Sequence, residues 1–162
     1  MLNLRTQKSS HTGLDKTKTN QLLLGLLILL VLVIFMPTVH SQGNTFVVNS
    51  IDDVDDAICD SQHCSLREAL NASNSNAGTD TITFAIPGAG PYIIQLADEL
   101  PTITDAVAID GTTQAGYTGK PLIELDGVNT FAANGLVLNA GSSTVRGLVI
   151  GRFQFDAISI GT

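Results

Sequence analysis

The chain has 162 residues, with 15 acidic against 8 basic side chains and a formal net charge of −7. That length allows one domain and little more. The charge excludes the electrostatic attraction to phosphate backbones or anionic lipid surfaces that nucleic-acid and membrane-surface binders need.

Residues 1–20 are polar and carry Arg5, Lys8, Lys16 and Lys18 against one acid, Asp15. Leu22 to Met36 is a run of fifteen residues, nearly all Leu, Ile and Val, with one Gly, and Pro37 ends it. Val39 and Ser41 then stand at the −3 and −1 positions of a cleavage site before Gln42. A basic region, an apolar core and small residues make a secretory signal. The run falls short of the roughly 20 residues of a full span, yet residues 22–36 also suit an uncleaved membrane anchor. Either way, 1–41 is expected to be a signal or anchor and 42–162 to lie outside the cell membrane, with the basic residues left inside. Without residues 1–41, four basic residues face fourteen acidic ones. No nucleic-acid partner is expected of such a domain.

Residues 45–51 read as a first strand, followed by the acidic stretch Asp52-Asp53-Val54-Asp55-Asp56. Asp52, Asp53, Asp55 and Asp56, with Asp60 near by, are candidate oxygen ligands for calcium. The spacing departs from an EF-hand loop, because Ile58 stands where the sharp turn needs Gly. The other reading of the same residues is a solvated, self-repelling loop.

Cys59 and Cys64 are the two cysteines of the chain. In an exported protein they are expected to form a disulfide, with two unpaired thiols as the alternative. His63 lies between them, but a structural zinc usually takes four N or S ligands. The other histidines, His11 and His40, fall in or near the signal, so no zinc site is expected. Ser65 and Glu68 have the S-x-x-E spacing of a capping box. Leu66, Ala69 and Leu70 then make one short apolar face, which predicts a helix over about 66–74. Arg67 and Glu68 are expected to face out or to cap, and Gly78 to supply a left-handed helix cap. Asn71-Ala72-Ser73 matches a glycosylation sequon within that helix.

The run Cys59-Asp60-Ser61-Gln62-His63-Cys64-Ser65-Leu66-Arg67-Glu68-Ala69-Leu70 resembles the CSLREA motif near the N-terminus of bacterial surface and secreted proteins. In that family the motif precedes a right-handed parallel β-helix. The resemblance implies an architecture rather than a reaction.

From Thr81 on, short apolar runs alternate with Gly, Asn, Asp and Thr: 81–86, 92–96, 106–109, 122–125, 135–138, 144–150 and 157–160. Asn134–Leu138 lines up with Asp156–Ile160 at an offset of 22, and the same offset relates Ile103 to Leu125 and Ile123 to Val145. A fixed period of this size marks a solenoid. Spacing alone leaves a β-sandwich open. The CSLREA resemblance selects the all-β, right-handed parallel β-helix, with 42–80 as its capping region, a short helix over the first coil, and 81–162 as its first coils. Nothing after Ile158–Thr162 would seal such a stack, so the chain is expected to be the N-terminal part of a longer protein.

Parallel β-helices include polysaccharide lyases and glycoside hydrolases, which work with carboxylates in a groove. Asp105, Asp110, Glu124, Asp126 and Asp156 are the carboxylates to test; Arg146 and Arg152 could serve a lyase, or be ordinary outward-facing strand residues. Asp110-Gly111 and Asp126-Gly127 also read as ordinary turns leaving a strand. A Ser-His-Asp set is excluded after residue 41, where His63 stands alone. The favoured expectation is a non-catalytic secreted or cell-surface protein with an adhesion, carbohydrate-contact or structural role. Its partners would be extracellular carbohydrate or surface components. The alternative is the N-terminal fragment of a lyase or glycoside hydrolase whose active coils lie beyond residue 162. Calcium is the one cofactor in view.

Overall fold

The computed structural model describes residues 20, 21, 23–25 and 42–161. The chain divides into two units, Met1–His40 and Ser41–Thr162. In the first, residues 20, 21 and 23–25 are helical. The remainder of the 22–36 run and the cleavage site at Val39 and Ser41 lie outside the described residues. Among the described residues, no helix is long and apolar enough to cross a membrane.

Among the described residues, the second unit holds nine short strands and one α-helix. The strands are β1 (Thr45–Val48), β2 (Asp80–Phe84), β3 (Tyr92–Gln95), β4 (Val107–Asp110), β5 (Ile123–Asp126), β6 (Leu136–Leu138), β7 (Thr144–Arg146), β8 (Leu148–Gly151) and β9 (Ile158–Ile160). The helix, α1, spans Leu66–Ser75. All pairings are parallel. They build three small sheets, in the orders β1-β2-β4-β7, β3-β5-β8 and β6-β9.

The expected right-handed parallel β-helix is corrected here. Among the described residues the strands form these three small parallel sheets, with no closed solenoid and no fixed coil. Thr45 faces Thr81, Asp80 faces Val107, Tyr92 faces Ile123 and Ile123 faces Leu148. The 22-residue offset holds for Leu136 and Ile158. Ile103 instead bridges to Leu138, and Ile123 pairs with Leu148 rather than Val145. The physical reason is that the connections differ in length. A short 3-10 turn, Gly111–Thr113, and the segment after it separate β4 from β5, whereas Gly147 alone separates β7 from β8.

The run 144–150, expected as one strand, is therefore two. Gly147 sits at φ +70°, a conformation glycine adopts without steric cost. There the chain leaves the first sheet and enters the second.

Alternate residues of each strand point inward, as the two-residue strand period requires. The inward rows run Phe46–Ile82–Ile109–Val145 in the first sheet and Ile94–Leu125–Ile150 in the second. Ile82, Ile109, Ile94 and Leu125 are fully buried. Burial falls off towards the last strands, where the inward Val145 and Ile150 are only half-buried and Ile158 and Ile160 are exposed. Helix α1 packs against β1 and β2 and buries Leu66, Ala69 and Leu70 in the same core. The regions 42–80 and 81–162 thus share one unit, joined by the pairing of β1 with β2.

Two side chains imitate strand backbone where the sheets lack a neighbour. The Asn74 amide donates to the Thr102 carbonyl (2.8 Å) and accepts from the Thr104 amide (2.8 Å). The buried Gln114 amide donates to the Ile86 carbonyl and accepts from its N–H, both at 2.9 Å. Each satisfies backbone groups that would otherwise be costly to bury.

Candidate functional site

The chemistry-bearing residues gather at the N-terminus of α1. Ser65, in extended conformation, is the N-cap: its Oγ accepts from the Glu68 amide (3.2 Å). Glu68 Oε2 accepts from the Ser65 amide in return (2.8 Å), which completes the capping box. The box reaches further than its own helix. Ser65 Oγ donates to the Val54 carbonyl (2.7 Å), and Glu68 Oε1 accepts from the Asp56 amide (2.8 Å). The helix cap therefore anchors the acidic loop as well. The helix ends at Ser75 with an extended Asn76 as C-cap, whose N–H donates to the Ser73 carbonyl. Gly78, at φ +113°, lies beyond that cap, which corrects its expected role.

Cys59 and Cys64 are joined by a disulfide with a Cα–Cα distance of 4.3 Å. The side chain of Asn49 ties this loop to the end of β1. It accepts from the Cys64 amide (2.7 Å) and donates to the Asp60 carbonyl (3.0 Å).

The four aspartates weighed for calcium have separate employments. Asp52, Asp55 and Asp56 each accept from the amide two residues on, those of Val54, Ala57 and Ile58. Asp60 does the same for Gln62. These are Asx-turns, in which a short carboxylate replaces the turn's own carbonyl. Asp55 also accepts from the Asn71 amide side chain (2.9 Å). Asp53 goes to Arg67: Nε and Nη2 of the guanidinium meet its two oxygens at 3.0 and 2.8 Å. Arg67 further donates to the Glu99 and Asp98 carbonyls, and Asp53 accepts from the Ala97 amide. The side chains of Arg67 and Asp53 are only 15% and 7% exposed. Arg67 thus does not face outward, as its helical position suggested; it stitches the loop and helix to the 97–99 turn.

His63 stands at the centre of what remains. Its Nε2 lies 3.1 and 3.2 Å from the two oxygens of Asp52. Its Nδ1 lies 3.1 Å from Glu68 Oε2 and 3.9 Å from Asp56 Oδ2. The hydrogen bond with Asp52 raises the imidazole above its usual pKa; burial opposes this, and the charges of Asp52, Glu68 and Asp56 add to it. Burial alone would push the Asp52 carboxyl up. Hydrogen bonds from Ser50, the Val54 amide and His63 outweigh it and hold Asp52 below the usual value. Sequence reasoning left His63 isolated because its partners come from positions 52, 56 and 68, on two sides of the disulfide.

The carboxylates weighed for catalysis are engaged where the strands end. Asp110 Oδ1 accepts from the Thr112 amide and hydroxyl, and Oδ2 from Arg146. The fully buried Asp126 accepts from the Val128 amide, Arg152 and Gln95. Glu124 lies 3.7 Å from the same Arg152. Asp105 accepts from the Ala106 amide. Asp156, on the way into β9, is exposed. Arg146 and Arg152 are thus counter-ions of turn aspartates.

No protein-family model, no curated protein and no solved structure matches the chain.

Proposed function

We propose that the chain is a non-catalytic structural module that works outside the cell, at the surface or released from it. There its acidic exterior would meet extracellular carbohydrate or other surface components in an adhesive or scaffolding role. The observation that carries this reading is the Cys59–Cys64 disulfide beside a helix cap that closes one side of the core. Disulfides persist in oxidising compartments and are rare in the cytosol. Three features lend further support: the signal-like residues 1–41, the excess of acids after them, and the resemblance of residues 59–70 to the CSLREA motif of bacterial surface proteins. The engagement of Asp110 and Asp126 by arginines and turn amides favours a structural role for them over catalysis.

The test is fractionation of source cells with an antibody to residues 42–161, followed by thiol alkylation with and without reductant. Protein in the membrane or medium fraction, alkylated only after reduction, is the expected result. Cytosolic protein whose thiols react without reductant would overturn the proposal.

A further inference from the structure

The arrangement around His63 has an electrostatic gap. In the Nε2–H tautomer the ring donates to the Asp52 carboxylate, and Nδ1 then presents a lone pair on the opposite side. Nδ1 is sealed from solvent and makes no hydrogen bond among the described residues. It lies 3.1 Å from Glu68 Oε2, out of line for a hydrogen bond, and 3.9 Å from Asp56 Oδ2. The Glu68 side chain is itself only 1% exposed. In that tautomer an acceptor nitrogen and two carboxylate oxygens converge on one point, which a proton on Nδ1 or a metal ion would fill. Glu68, the buried one of the two carboxylates, has backbone amides as its donors, and a cation at this point would add a counter-charge.

We propose that Asp56, His63 and Glu68 bind one divalent transition-metal ion, zinc in the first instance. The three ligand atoms lie within 4.8 Å of one another. A tetrahedral zinc holds N and O ligands at about 2.0–2.1 Å, which places neighbouring ligand atoms about 3.3–3.4 Å apart. The distances from Nδ1 bracket that figure, and the exposed Asp56 is the ligand that would move in to close the site. Imidazole nitrogen with two carboxylate oxygens is a donor set zinc accepts, and water would take the fourth position.

The outer shell is already in place. Asp52 holds Nε2, the carboxylate–histidine–metal arrangement that fixes the tautomer and strengthens the ligand. The Ser65 and Asp56 amides orient the Glu68 carboxylate. The expectation against zinc, drawn from a lone histidine, counted nitrogen and sulfur ligands and missed the two carboxylates. Calcium is the poorer candidate at this point, because it takes six to eight oxygens and no imidazole. The inference stands apart from the surface role, since it rests on the geometry of the cap alone.

The test uses the full 162-residue chain, stripped with chelator and titrated with Zn2+ alone against a chromogenic competitor. The same protein titrated with Co2+ should show the strong visible bands of a tetrahedral site. One equivalent is expected to bind. His63→Gln should weaken binding by at least about tenfold, and Asp52→Asn by about 10–100-fold through the loss of ring orientation. Should His63→Gln fail to fold, Asp56→Asn reads the same site, since an Asn keeps the acceptor for the Ile58 amide and removes the ligand charge. Binding unchanged in these variants would place the ion elsewhere in the chain and overturn the proposal. No Zn2+ binding at neutral pH would overturn it too, leaving a proton on Nδ1 as the occupant. Ca2+ displacing Zn2+ at equal concentration would also count against it.

Discussion

Replacing Arg67 with Met removes five donors and leaves the stem. The guanidinium makes two bonds to Asp53 and one each to the Glu99 and Asp98 carbonyls, at 2.8–3.0 Å. Asp53, at 7% exposure, would keep the Ala97 amide as a donor and lose its counter-charge. Breaking a buried pair by removing one partner costs about 3–5 kcal/mol. Some solvent reaches this pair, so about 3 kcal/mol is the expected loss. For a unit of this size that corresponds to a fall in Tm of about 10 °C, taking about 3–4 °C per kcal/mol. Arg67→Lys keeps the charge and loses the planar fork, so it should recover about half of the loss. Thermal and urea unfolding of wild type, Arg67→Met, Asp53→Asn and the double variant would measure this by circular dichroism. The cycle should give a coupling energy above about 1 kcal/mol, as expected for residues in direct contact. A single-variant loss below about 1 kcal/mol, or simple additivity, would refute the idea that this pair locks loop, helix and turn together.

Further outcomes follow from the same geometry. Cys59→Ser with Cys64→Ser should cost about 2 kcal/mol, the chain-entropy value for so short a loop, and reductant should lower the wild-type Tm by the same amount and leave the double variant unmoved. Leu70→Ala, fully buried between helix and sheet, should cost about 2–5 kcal/mol in urea unfolding, whereas Val54→Ala on the exposed loop should cost little. Gly111→Ala would drive a methyl into the Gly147 backbone and the Leu148 side chain, for a loss of about 1–3 kcal/mol. The Arg146 hydrogen bond, opposed by burial and aided by Thr112, holds the Asp110 carboxyl below its usual range. A depressed folded pKa contributes stability above the unfolded value of about 3.9 and loses it as pH falls through the folded value. Denaturant midpoints for Asp110→Asn should therefore lie below wild type at neutral pH and converge with it in acid below about pH 4.

Local chemistry was legible in the sequence, and long-range pairing was not. Strand positions follow from short apolar runs between turn residues, and the start of α1 from Ser65 and Glu68, because these signals span a few residues. The partner of each strand depends on the length of the connections, and those differ. Of the three 22-residue offsets that suggested a fixed period, only Leu136 opposite Ile158 is a pairing. The run 144–150 looked continuous because nothing in its hydrophobicity marks Gly147 as the point where the chain changes sheets. The acidic loop shows the same division. An Asx-turn joins residues two apart and can be anticipated, whereas Asp53 with Arg67, or His63 with Asp52 and Glu68, joins residues 5–14 apart across a disulfide.

That loop also explains why so many acids can sit beside the cap without expelling one another. Its apolar residues contribute little: Ile51, Val54 and Ile58 are 49%, 56% and 61% exposed. Hydrophobic burial therefore cannot hold residues 51–60 in place. Directional bonds do so instead, and ionised acceptors make the stronger ones. Each carboxylate discharges part of its field into a backbone amide two residues on, or into Arg67, His63 or Asn71. The sheet core rests chiefly on buried aliphatic rows, with charge confined to the strand-end pairs of Asp110 with Arg146 and Asp126 with Arg152. The cap rests on charge and is sensitive to anything that competes for its carboxylates. A bound cation at His63 would thus act where the fold has least hydrophobic support, by adding a cross-link between Asp56 of the loop and Glu68 in the first turn of the helix.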